Sequence, residues 1–152
     1  MNRRDAIKAT VIASGGILVG CRSDRASDQA LMEEIADTLL PTTAGSPGAK
    51  AAGAGAAMNL ILSDCYTQAD QRAVSEALAR FRAEQFLEKP RAEREAFVRS
   101  VGSQVWFAPL RDLALGAYFS SETGMTQALR YLLVPGKFVG CLPLQPGQPA
   151  WG

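Results

Sequence analysis

The sequence predicts an all-α fold: a small bundle of about five or six helices followed by an extended C-terminal tail rich in Pro and Gly. Two observations carry this. Apolar residues recur at helical spacing in segment after segment, and no stretch sustains the alternation of a half-buried strand. A third delimits the bundle: Pro135, Gly136, Gly140, Pro143, Pro146, Gly147 and Pro149 crowd the last eighteen positions, where missing amide donors and the entropy lost on ordering Gly oppose regular structure. The organisation is a leader over 1–20, a polar tether over 21–29, a helical domain over 30–134 and a tail over 135–152.

The leader has the form of an address. Arg3 and Arg4 stand ahead of an apolar run from Ala9 to Val19, with Ile7 and Lys8 completing a twin-arginine export pattern. The run is shorter than the roughly 20 apolar residues needed to span a bilayer. It ends Leu18-Val19-Gly20-Cys21, which has the form of a lipobox in which the Cys21 thiol takes the lipid. Each buried CH₂ adds about 0.8 kcal/mol, so two acyl chains anchor stably where one is marginal. The other reading is an ordinary signal cleaved nearby, with Cys21 lost. Either way the expected destination is the periplasm, reached folded through the twin-arginine machinery, with membrane attachment if Cys21 is lipidated.

Leu31, Met32, Ile35, Ala36, Leu39 and Leu40 form one face of a helix from Asp28 to Leu40, ended by Pro41. A second helix is expected from Ala56 to Tyr66, with Met58, Ile61, Leu62 and Cys65 on one side. Thr67 and Asp70 make a capping box for a third, in which hydroxyl and carboxylate both satisfy free amides, and Val74, Ala77, Leu78, Phe81 and Gln85 carry it to about Leu87. Pro90 to Gly102 holds a fourth. Leu110, Leu113, Ala114, Ala117 and Tyr118 trace a fifth, where Gly116 signals either a close backbone approach or a tolerated Gly. Ser120 or Ser121 caps a short sixth, with Met125, Leu129, Leu132 and Leu133 on one side, before Pro135-Gly136 stops it.

Composition excludes more than it proposes. At 47% hydrophobic and 20% charged the chain reads as one globular domain, and 16 basic against 15 acidic residues leave no electrostatic footprint for nucleic acid. There is no His, which removes the commonest metal ligand and general base, and with them Ser-His-Asp and Cys-His catalysis. No CxxC or CxxCH offers a thiol redox pair or haem attachment. Gly53-Ala54-Gly55 lacks the preceding strand and third Gly of a nucleotide loop, and Arg111 and Asp112, adjacent on a helix, point apart. The chain is thus expected to have no catalytic residue, no bound cofactor and no metal.

The segment from Gly116 onward invites docking instead, since it joins Tyr118, Phe119, Arg130, Tyr131, Phe138, Cys141 and Trp151, residue types that anchor buried contacts. The tail packs either on its own domain or on a partner. In an oxidising compartment Cys65 and Cys141 are expected to be paired with each other, or Cys141 with a partner's Cys while Cys65 is a buried apolar residue.

The run GAYFSSETGMTQALRYLLVPGKFVGCLPL followed by GQPAW, together with IADTLLPTT, PGAKAAG and LILSDCY, resembles the gluconate 2-dehydrogenase subunit 3 family. The resemblance implies a small accessory subunit that travels with a large FAD-dependent dehydrogenase of the glucose-methanol-choline type, often with a multihaem cytochrome c. FAD and haem c would then belong to the partners, and a catalytic subunit without its own signal would be exported bound to this one. One departure is plain: where the family commonly has a short His-containing segment after PGAKAAG, this sequence reads Ala54-Gly55-Ala56-Ala57, so no role of that His transfers. The rival expectation is a free-standing helical lipoprotein that binds an apolar ligand.

Overall fold

The computed structural model describes residues 27–134, 136, 137 and 140–150. Among these there is no strand, and the all-α expectation holds. The main elements are α1 (27–39), α2 (Ala54–Cys65), α3 (Gln68–Ala83), α4 (Arg91–Val101) and α5 (Ala108–Phe119). Short 3₁₀ turns at Phe86–Glu88 and Val105–Phe107 flank α4, and one π-helical turn at Gly124–Ala128 comes after α5.

α5 is the central element, packing against both α2 and α3. Its predicted stripe of Leu110, Leu113, Ala114, Ala117 and Tyr118 is buried throughout. Leu31, Met32, Ile35 and Ala36 of α1 join the same core, as do Val74, Ala77, Leu78 and Phe81 of α3. Phe81 is the hub of an aromatic cluster, with Phe86 and Phe97 edge-on at centroid distances of 5.0 and 5.2 Å and Phe107 at 5.5 Å. Edge-to-face pairs of this kind add about 0.5–1.5 kcal/mol each beyond the area they bury.

Several boundaries differ from expectation for physical reasons. α2 begins at Ala54, two residues early, because Gly53 takes a left-handed conformation (φ 67°) and lets the chain enter the helix from the preceding loop. The next glycine brings α2 onto α1: a Cβ on Gly55 would lie 2.7 Å from the Glu33 Cβ. The two glycines thus serve a helix start and a helix crossing. At Gly116 nothing lies within 4 Å of such a Cβ, so this glycine is simply tolerated. Cys65 is exposed at the end of α2, not part of its buried side.

α3 stops at Ala83, short of Leu87. Helical continuation would drive Gln85 into the core and leave Phe86 outside. Instead Gln85 turns left-handed (φ 51°), its N–H bonding the Arg82 carbonyl at 2.9 Å, and Phe86 swings in beneath Phe81. The start of α3 matches the expected capping box in part. The Thr67 hydroxyl accepts the Asp70 N–H (3.3 Å), but the Asp70 carboxylate accepts that same hydroxyl (2.6 Å) and not a backbone amide.

An ion-pair cluster fastens α1 to the rest. Glu34 accepts from Lys50 Nζ at 2.5 Å and from Arg94 Nη1 at 2.6 Å, while Arg94 also donates to the Leu87 and Lys89 carbonyls. One carboxylate therefore ties α1 to the loop before α2, to α4 and to the 3₁₀ turn. Its pKa is held below the usual 4.5, chiefly by the Lys50 hydrogen bond, with the charges of Lys50 and Arg94 adding and burial opposing. Lys50 is raised in turn by the same hydrogen bond.

Two predictions arise here. Gln85→Gly relieves a left-handed non-Gly residue and is expected to stabilise the domain by up to about 1 kcal/mol in urea unfolding, the strain relieved outweighing the entropy of an extra Gly. For Glu34 the folded pKa lies below the unfolded one, so its contribution is present above about pH 4.5 and lost as pH falls through the folded value. Thermal melts across that acid range should show a fall that Glu34→Gln flattens, at a cost near neutrality of about 0.5–1 kcal/mol.

Candidate docking surface

The surface begins where α5 ends. Tyr118 is buried at 2% exposure, and its hydroxyl donates to the Pro47 carbonyl and lies 2.8 Å from the Ser46 hydroxyl. It belongs to the chain's own core, where it bolts the loop over residues 41–48 to α5. Phe119 is half-buried, edge-on to Tyr118 at 4.9 Å. Among the two candidate serines it is Ser121 that caps, accepting the Gly124 N–H at 3.0 Å and donating to the Tyr118 carbonyl at 2.6 Å.

The sixth helix is reduced to little more than the π turn. Gly124 sits so tightly over Tyr118 that any Cβ would collide with the Tyr118 carbonyl oxygen, which fixes where the turn starts. The Leu129 N–H then reaches back five residues to the Gly124 carbonyl (3.1 Å), and at Leu129 the chain becomes extended (ψ 164°). The expected helical face therefore never forms beyond Leu129. Leu133 and Val134 are 79% and 76% exposed, with Tyr131 and Leu132 nearly half exposed.

Beyond the π turn the chain forms a lobe closed at its neck. The Arg130 N–H bonds the Ala150 carbonyl at 2.7 Å, returning the chain to its point of departure, and a turn at Gln145–Gln148, with Gly147 at φ 75°, reverses it inside. Leu142 and Leu144 stand out at 61% and 84% exposure. From Thr123 onward the sequence has no Asp, Glu or His, and Arg130 and Lys137 are its two cations. Beside the neck lies a cleft of about 330 Å³ whose wall is largely apolar, from Leu39, Leu40, Pro41, Phe119, Ala128 and Leu129, with Thr43, Ser46 and Tyr118 completing it. Large side chains exposed together in this way mark interaction sites on soluble domains.

The residues expected at an interface thus separate. Arg130, Tyr131 and Cys141 are on the lobe's exposed surface, and Phe119 borders the cleft. Tyr118 faces inward, because a ring on the stripe of α5 follows the helical period into the core. Phe138, Trp151, Arg3, Arg4 and Cys21 lie outside the described residues. Cys65 and Cys141 are both free thiols. Of the exposed apolar residues, Leu142 and Leu144 already stand out in the sequence as apolar bulk among helix breakers, whereas Val134 gives no such signal. Among the described residues no group of three or more His, Cys, Asp or Glu is placed to hold a metal, and no helix is long and apolar enough to cross a membrane.

The helical domain closes its own core and leaves an apolar lobe exposed outside it. The chain belongs to the gluconate 2-dehydrogenase subunit 3 family, which it matches over residues 26–136. No curated protein and no solved structure matches it.

Tyr118→Phe tests the bolt. Losing one hydroxyl that bridges Ser46 and Pro47 is expected to cost about 1–2 kcal/mol in equilibrium unfolding, with the cost abolished when Ser46 and Pro47 are already displaced by deletion of the loop contacts.

Proposed function

We propose that this chain is the non-catalytic small subunit of a periplasmic FAD-dependent dehydrogenase acting on a sugar, sugar acid or related polyol. In this reading the large partner subunit holds FAD and abstracts the hydride, and a multihaem cytochrome c subunit receives the electrons. This chain supplies the export signal through Arg3 and Arg4, supports folding of the catalytic subunit, and tethers it to the membrane through lipidated Cys21. Gly53 and Gly55 of this chain serve a helix start and a helix crossing.

One observation supports the docking part of this reading above all. Tyr131–Val134, Leu142 and Leu144 are exposed on a domain whose core is complete without them. Exposed Arg130 is a further proposed contact, as are Phe138 and Trp151, which lie outside the described residues, and Cys141, a free and exposed thiol, is the proposed point of a disulfide with the partner.

The test is a pull-down with tagged chain from its native host, read by absorbance scan and non-reducing gel. A large yellow protein should co-purify, and a disulfide-linked band should vanish with Cys141→Ser. Leu133→Asp and Leu144→Asp should each leave unfolding free energy within about 0.5 kcal/mol of wild type, as exposed positions do, while sharply reducing recovery of the partner. A folded, monomeric, colourless chain recovered alone from intact membranes would overturn the subunit reading in favour of a free-standing lipoprotein that binds an apolar ligand.

A further inference from the structure

We draw no further inference here: the strongest candidate, the largely apolar cleft between the loop over residues 41–48, the end of α5 and the π turn, carries none because nothing in the structure shows what covers it.

Discussion

The whole outer surface hangs from one residue. Tyr118 is buried on α5, yet it is bonded at both ends. Its hydroxyl holds the loop over residues 41–48 through Pro47 and Ser46, and its carbonyl is capped by Ser121 and overlain by Gly124. The first set of contacts fixes one wall of the apolar cleft. The second fixes where the π turn starts, and so where the chain leaves the bundle. A π turn carries one more residue per ring than an α turn, which changes the angle at which the next residue departs. Here that departure sends Leu129 alongside Phe119 and Ala128 and Tyr131–Val134 outward.

Much of this was legible in the residues. The stripe on α5, the face of α1 and the hydroxyl cap of α3 stem from periodicity and capping chemistry, which act locally and leave a local trace. The misses have a common cause. Gln85 fits a helical face, and its spacing does not reveal that Phe86 is worth more in the core than Gln85; the aromatic cluster of Phe81 with Phe97 of α4, which Phe86 joins, decides it. Likewise Met125, Leu129, Leu132 and Leu133 have helical spacing, but the close approach of Gly124 to the Tyr118 carbonyl and the π turn that starts there leave no trace in that spacing.

The exposed apolar lobe was legible by residue type more than by position. Apolar residues interleaved with Pro and Gly are visible in the sequence of the tail, and its leucines are large and exposed in the structure. Aromatic residues drew attention first because they dominate contacts elsewhere. Tyr118 shows the weakness of that rule: on a helix of this bundle, a large ring at a core register fills the core. Leu142 and Leu144 are flagged in the sequence only as apolar bulk among helix breakers, and the structure adds that both are exposed.

The lobe has no carboxylate side chain and no imidazole, whereas α1 is fastened through Glu34 to Lys50 and Arg94. The clamp on α1 and the lobe therefore answer to different solution variables. Acid loosens the clamp on α1 by protonating the carboxylate that both cations share, but finds no side chain to protonate in the lobe. Salt screens exposed charges and leaves apolar burial intact, while excluded salts such as sulfate strengthen it. An assembly made through this lobe should thus tolerate high-salt washing and be lost first to agents that solvate apolar and peptide groups.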